Sequence, residues 1–277
     1  MRTIAHISDL HFGRTDPEMV RRLRAQLVQL RPDLVVVSGD LTQRARITEF
    51  VQARAFLDTI PGPQIVVPGN HDIELYNLYG RFVERLRRYK HHISENVEPY
   101  FSDSELMVVS VNTARSLTFK GGRINGEQIK RLCESLRAAP EGALKILVAH
   151  HPLDLPAVLN HNLVGRARMA LRSLTDCGID VILSGHLHVS QFVTPAEQLR
   201  IGGHTALLVQ AGTAISTRSR GELNSFNLIE VTSPRITIHQ RCWSVLTSDF
   251  TDGRTEQYDR SATGWLRAQH QESKLSN

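Results

Sequence analysis

Apolar positions along the chain fall into two patterns: short unbroken runs, and longer stretches with helical spacing. The runs within Thr3–Ser8, Asp33–Val37, Ile65–Val67, Leu106–Asn112, Lys145–Ala149 and Asp180–Leu183 suit strands covered on both faces. Between them, Pro17 to Leu30 sets Val20, Leu23, Leu27 and Leu30 on one helical face, with Arg21, Arg22 and Arg24 mostly outside. Further helices are expected over Arg46–Ile60, Gly126–Ala138 and Val164–Thr175, the second opened by Asn125 and Gln128 in a capping-box relation. Tyr76 to Ile93 also reads as a helix, with the stripe Phe82, Leu86, Tyr89 and Ile93. Its other face carries Arg81, Arg85, Arg87, Arg88, Lys90, His91 and His92, by default a solvated surface and alternatively a cap over a substrate or partner.

Strands alternating with helices point to an α/β protein, and 277 residues can bury a sizeable core. After Leu187 the pattern changes to shorter β-like runs, Val189–Thr194, Thr205–Gln210, Phe226–Val231 and Arg235–His239, expected to form a second, mixed or antiparallel sheet. Periodicity weakens beyond Trp243. The expected division is therefore one domain over residues 1–240 and a C-terminal segment, 241–277, that packs on the body or on a partner.

Composition narrows the class. With 41% hydrophobic and 22% charged residues, the chain reads as an ordinary globular protein. It has no low-complexity tract, internal repeat, leader-like apolar segment or membrane-length run, so a cytoplasmic location is expected. Cys133, Cys177 and Cys242 are odd in number and widely spaced, which favours free buried thiols over a disulfide or a thiolate metal site. The net charge of +5 suits an anionic substrate but is too common to establish nucleic-acid binding. Aromatics, at 6%, do not cluster with Arg or Lys as a single-strand-binding track would require.

Chemistry concentrates where the strands end. Ile65-Val66-Val67 stops at Pro68, which cannot donate to a ladder, and Gly69 then opens the chain before Asn70-His71-Asp72. Asn70 offers a neutral oxygen to a metal, while the adjacent His71 must point elsewhere and is left to move a proton. Asp9-Leu10-His11 follows the first strand, and on extended backbone its outer residues would share one side; the plainer reading is a turn Asp with a surface His. Asp40, after Ser38-Gly39, is a carboxylate at the end of an apolar strand, suited to bridging two cations, although it could instead cap the next helix. His150-His151-Pro152 and His186-Leu187-His188 repeat the pattern at later strand ends. Consecutive residues diverge, so only one of His150 and His151 is expected to ligate; the choice that best fits the resemblance described next is His150, with His151 supporting from behind.

The ordered set Asp9-x-His11, Gly39-Asp40, Gly69-Asn70-His71-Asp72, His150 and Gly185-His186-x-His188 resembles the calcineurin-like metallophosphoesterases. Gly-Asp-Leu-Thr and Ala-His-His-Pro look most like the bacterial class III cyclic-nucleotide phosphodiesterase branch. The resemblance spans Thr3 to about His188 and continues loosely through Gly212-Thr213 and Ser225-Phe226-Asn227. It implies an α/β fold, a four-layer αββα sandwich of two mixed β-sheets with a dinuclear metal site at the strand C-terminal ends. It also implies a ligand set: Asp9, His11, Asp40 and His188 for one ion, and Asp40, Asn70, His150 and His186 for the other. His71 would act on the leaving oxygen. The cofactors would be two divalent or mixed-valence ions of Mn, Fe, Zn or Co, and the substrate a small anionic phosphoester, with nucleic acid not favoured and a homodimer left open. Gln43 stands where the protein serine/threonine phosphatases carry a second Asp, which disfavours that activity, and His71 stands where the lipid A precursor hydrolases usually carry Arg. A nuclease, a nucleotide-lipid pyrophosphatase and a non-catalytic metal-binding module are the alternatives.

Overall fold

Strand β1 (Arg2–Ile7) faces two different cores, and that alternation sets the architecture. Ile4 joins an apolar layer with Leu34, Val36, Val108, Ile146, Leu183 and Val209, whereas Ala5 and Ile7 join another with Leu23, Leu27, Phe50 and Phe56. The structure is a computed structural model and describes residues 1–74, 86–115, 121–153, 164–193, 206–218 and 221–268. Strands β2 (Leu34–Val37) and β3 (Gln64–Val66) lie parallel beside β1. On the other side β10 (Ser225–Thr232), β11 (Arg235–Ser244), β12 (Asp249–Ser261) and β13 (Gly264–Arg267) pair antiparallel, giving the seven-stranded order β13-β12-β11-β10-β1-β2-β3.

The second sheet has β5 (Leu106–Val111), β6 (Leu144–Ala149), β7 (Val181–Ser184) and β9 (Leu207–Gln210) in parallel. Antiparallel edges β4 (Phe101–Ser102) and β8 (Gln191–Val193) complete the order β4-β5-β6-β7-β9-β8. Helices α1 (Pro17–Leu30), α2 (Ile47–Leu57) and α3 (Arg87–His92) share a core with the outer face of the first sheet. Helices α4 (Gly126–Arg137) and α5 (Ala167–Asp176) do the same for the second, through Leu132, Leu136, Leu171 and Leu174. The result is the expected αββα sandwich with two mixed sheets.

Local signals explain the ends of the helices. Asp16 accepts from the backbone N–H groups of Glu18 (2.8 Å) and Met19 (3.3 Å) ahead of Pro17, and Arg31 closes α1 in the left-handed region. Asn125 accepts from Gln128 N (2.8 Å) while Gln128 Oε1 accepts from Asn125 N (3.1 Å), so the capping box is formed.

Two expectations change, one on the later strands and one on the cysteines. The runs after Leu187 do not make a sheet of their own: β8 and β9 join the second sheet, whereas β10 and β11 extend the first. Each strand is covered by the nearest open edge, which local patterning cannot specify. Residues 241–267 are strands of the sheet that β1 belongs to, with Trp243 and Phe250 in its helix-covered core. Of the helix expected over Tyr76–Ile93, only Arg87–His92 lies among the described helices, and Phe82 and Arg85 fall outside the described residues. Within it Tyr89 is buried and donates to Val66 O (2.9 Å), while Arg88 is tied to Ala45 O and Glu74. Finally, Cys133 and Cys177 form a disulfide, their Cα atoms 5.4 Å apart, because α4 and α5 pack side by side. Cys242 stays free. Among the described residues no helix is long and apolar enough to cross a membrane.

Candidate metal centre

The predicted site residues follow β1, β2, β3, β6 and β7 and converge at the carboxyl ends of both sheets, where open α/β sheets leave their ligand crevice. The local route differs from extended backbone. Asp9 (φ 52°), His11 (φ 48°), Asp40 (φ 53°), His186 (φ 77°) and His188 (φ 63°) are all in the left-handed region, which costs a side chain with a Cβ roughly 1–3 kcal/mol. Asp9 and His11 thus share a side through two sharp turns, not through the period of two. Backbone bonds hold this shape: Asp9 N to Gly39 O (3.1 Å), His11 N to Asp40 O (3.0 Å) and Gly185 N to His150 O (3.0 Å).

Two motif glycines permit the approach. At Gly39 (φ +100°) a Cβ would lie 2.5 Å from His150 Nδ1. At Gly69 it would lie 2.1 Å from Asp40 Oδ1, so any side chain there displaces the central carboxylate.

Asp40 sits between the two halves of the cluster. Its Oδ2 is 3.7 Å from His11 Nε2 and its Oδ1 is 3.3 Å from His150 Nε2. Asp9 Oδ1 lies 3.6 Å from both His11 Nε2 and His188 Nε2, and Asn70 Oδ1 lies 3.2 Å from His150 Nε2. Ligand atoms about 2.1 Å from a common ion would be ~3.0–3.4 Å apart at octahedral or tetrahedral angles, close to these spacings. The imidazoles are also aimed from behind: Nδ1 of His150 faces Ser38 O (2.8 Å), Nδ1 of His11 faces Thr42 O (3.3 Å) and Nδ1 of His188 faces Thr213 Oγ1 (2.6 Å). With Nδ1 engaged, each ring turns Nε2 toward the carboxylates.

Burial makes this arrangement costly without a cation. Asp9 and Asp40 are at most 1% exposed, and Asp9 Oδ1 and His11 Nε2 have no hydrogen-bond partner among the described residues. Burial opposes ionisation of Asp40, but His150, His71 and His11 outweigh it and hold the carboxyl well below its usual range. Asp9 is likewise lowered, against burial, chiefly by His188 and His11. Burial alone would depress His150, yet Asp40 and then Asp9 push it up to about 9. The carboxylates therefore demand positive charge at the Nε2 positions, and metal cations meet that demand by replacing protons. The residues fit a dinuclear centre.

His186 and His151 occupy the far side. Ligand atoms of His150, His151 and His186 lie within 4.8 Å of one another, and the His150 and His186 ring centroids are 5.1 Å apart. Burial, followed by repulsion from His150, lowers His186 to about 3. His151 is anchored through Nδ1 to Thr113 Oγ1 (2.8 Å), and its buried Nε2 has no hydrogen-bond partner among the described residues.

His71 packs edge-on against His11, with ring centroids 4.9 Å apart, while its backbone N–H donates to Asp40 Oδ1 (2.9 Å). Its Nδ1 is 2.8 Å from Gln43 O and its Nε2 is 3.0 Å from Arg218 Nη1. A carbonyl only accepts and a guanidinium only donates, so His71 carries its proton on Nδ1. Burial, with help from His11 and Arg218, keeps it below the usual imidazole value despite Asp40.

Two contributors were not legible as such in sequence. Asp72 accepts from Thr42 N and Thr42 Oγ1 on one oxygen and from Leu41 N and Gly69 N on the other, binding the Asp40 loop to the Asn70 loop. Its place in Gly-Asn-His-Asp was visible, but its partners were not. Arg218 lies 147 residues from His71 in sequence, and no spacing signals it among the basic residues.

Known proteins resemble this chain in sequence or in fold. The cAMP/cGMP dual specificity phosphodiesterase of Mycobacterium tuberculosis is 30% identical over 256 residues, covering 82% of this chain and 75% of that protein. A probable cyclic nucleotide phosphodiesterase of Synechococcus is 25% identical over 173 residues, 59% of this chain and 63% of the relative, so the chain spans less than two thirds of that protein. The structure of a purple acid phosphatase from yellow lupin seeds superposes with a TM-score of 0.69 at 13% identity, covering 92% of this chain and 53% of that one, a likeness of fold. Residues 2–190, from β1 past the His186-x-His188 turn, match the calcineurin-like phosphoesterases, and with the αββα sandwich and its Asp–His cluster in place the chain belongs to that family.

Proposed function

We propose that this phosphoesterase is a dinuclear metal-dependent phosphodiesterase acting on small phosphodiesters, cyclic nucleotides foremost. One observation carries the reading: the Asp40 carboxylate turns one oxygen to His11 and the other to His150, so a single buried anion can serve two ions. Asp9, His11, Asp40 and His188 would hold the first ion, and Asp40, Asn70, His150 and His186 the second. The ions, of Mn, Fe, Zn or Co, would supply Lewis acidity toward phosphoryl oxygens and activate water at neutral pH.

The chain's own groups do the rest. Ser38 O, Thr42 O and Thr213 Oγ1 fix the rings of His150, His11 and His188, and Asp72 keeps the Asp40 and Asn70 loops together. His71 is held beside the cluster by its backbone bond to Asp40 and does not ligate; with Nδ1–H on Gln43 O, its Nε2 would take up the proton it passes to the leaving oxygen, parting from Arg218 as it does so. Diester preference is supported by the phosphodiesterase of Mycobacterium tuberculosis and the probable phosphodiesterase of Synechococcus among the relatives, and by Gln43 at the position where protein phosphatases carry a second carboxylate.

The test is reconstitution with each metal in turn, followed by a panel of cyclic nucleotides, simple diesters, monoesters and single-stranded DNA. Cleavage of cyclic and simple diesters above monoesters is expected, with weak salt dependence. Preferential, steeply salt-sensitive cleavage of DNA would replace this reading with a nuclease, since each neutralised phosphate of a single strand adds about −0.7 to the log–log salt slope.

A further inference from the structure

Arg218 stands beside the cluster, and the ligand scaffold does not explain its position. It is half-buried, and its guanidinium spends Nη1 on His71 Nε2 at 3.0 Å. No carboxylate pairs with it among the described residues. A guanidinium has five N–H donors in a planar fork and always carries its charge, so among the described residues most of its binding capacity is unspent. A cation held beside two buried carboxylates and five buried imidazoles does not stabilise a metal-loaded centre. It is useful there only toward an anion.

Its placement is built into the fold. The loop from Gly212 to Arg218 is pinned by Ala214 N to Ser8 O (3.1 Å), Thr217 N to Arg14 O (2.8 Å), Asn224 Nδ2 to Ser216 O (2.9 Å) and Arg218 N to Ser216 Oγ (3.2 Å). A bridge between Thr15 and Ser216 adds a further tie. The same loop supplies Thr213, which orients His188. One short segment therefore registers against each other a ring of the cluster and a cation that has no carboxylate partner among the described residues.

We infer that Arg218 binds a non-bridging oxygen of the substrate phosphoryl group, with His71 Nε2 as the acceptor that holds the guanidinium at the mouth of the site. The inference rests on the phosphoesterase reading above and extends it by one binding residue. The His71–Arg218 bond makes the two side chains a unit: removing His71 frees Arg218 to swing away, and removing Arg218 leaves Nε2 of His71 without its donor. A planar fork can span two phosphoryl oxygens, whereas a lysine ammonium keeps only the charge. The unspent donors suit the compact charge of a phosphoryl group more than a sugar or a base.

The experiment compares wild type, Arg218→Gln and Arg218→Lys after equal metal loading. Calorimetry with inorganic phosphate reads binding without turnover, and a nitrophenyl diester reads KM and kcat. Losing a charge-assisted hydrogen bond is expected to weaken phosphate binding by about 10-fold or more in Arg218→Gln, with partial recovery in Arg218→Lys. Metal content and Tm should match wild type, because no ligand or core contact is removed. In metal-free protein, long-range proton–nitrogen spectra should show His71 as the Nδ1–H tautomer, and Arg218→Gln should shift His71 Nε2 but not His150. Phosphate affinity and KM unchanged in Arg218→Gln would overturn the inference while leaving the phosphodiesterase reading intact. A wild type inert toward every phosphoester would instead remove that reading, and phosphate affinities of the three proteins would still decide the role of Arg218.

Discussion

Asp72→Asn separates the scaffold of the centre from its stability. The carboxylate is 1% exposed and accepts four hydrogen bonds, at 2.9 Å from Thr42 N, 2.9 Å from Thr42 Oγ1, 3.1 Å from Leu41 N and 2.9 Å from Gly69 N. An amide has one acceptor oxygen; with that oxygen on Leu41 N and Gly69 N, the NH2 faces Thr42, whose hydroxyl can turn to His71 O (3.1 Å), and Thr42 N alone loses its acceptor. Orphaning that one buried donor costs about 1–3 kcal/mol. Against this, burial and the neighbouring Asp40 push the Asp72 carboxyl up to about 6, so the fold holds this anion at a cost of roughly 3 kcal/mol that a neutral amide does not incur. The net change runs from about no loss to a gain of ~2 kcal/mol, so Tm should hold or rise by no more than ~8 °C for a domain of this size. Metal binding should suffer more than stability, because Asp40 and Asn70 stand on the two loops that Asp72 ties. Metal analysis after dialysis, beside calorimetric melting, checks both quantities. Wild-type retention of two ions in the variant would refute the scaffold argument, and a loss of fold would show that the cost of holding the anion is far smaller than the shift implies.

Other perturbations probe separate links. Asp40→Ala should release more metal than Asp9→Ala, because only Asp40 faces both His11 and His150; equal retention by elemental analysis would show that no bridge exists. His6, buried on β1 and 2.9 Å from Ser38 Oγ, is held neutral with its pKa lowered to about 3, chiefly by burial. Its folded value lies below its unfolded value of about 6.5, so its contribution is complete above pH 6.5 and falls as the pH drops toward 3. Urea unfolding should therefore lose about 2 kcal/mol more between pH 7.5 and pH 5 in wild type than in His6→Asn, and equal pH slopes would contradict it. Thiol titration of the denatured protein should count Cys242 alone before reduction and all three cysteines afterwards; three without reductant would remove the Cys133–Cys177 bond.

Local physics was enough to read most of the fold. Unbroken apolar runs located β1, β2, β3, β5, β6 and β7, and α1 was legible from Pro17 at its start and the apolar face of Val20, Leu23, Leu27 and Leu30. The chemistry at the strand ends was legible for a related reason: an Asp or His directly after a buried strand has no apolar role, so its presence points to a site. Tertiary structure alone decided three matters. It assigned β8 and β9 to one sheet and β10 to β13 to the other, since the choice of edge depends on which partners are already paired. It joined Cys133 to Cys177 because two helices distant in sequence lie side by side, which cysteine spacing does not record. And it turned five Asp and His residues into the left-handed region, where pairing between neighbouring loops overrides the local preference for extended backbone. The same long-range geometry brought Arg218 to His71 and Asp72 to the Asp40 loop, contacts set by how loops from separate strands meet at one end of the sandwich.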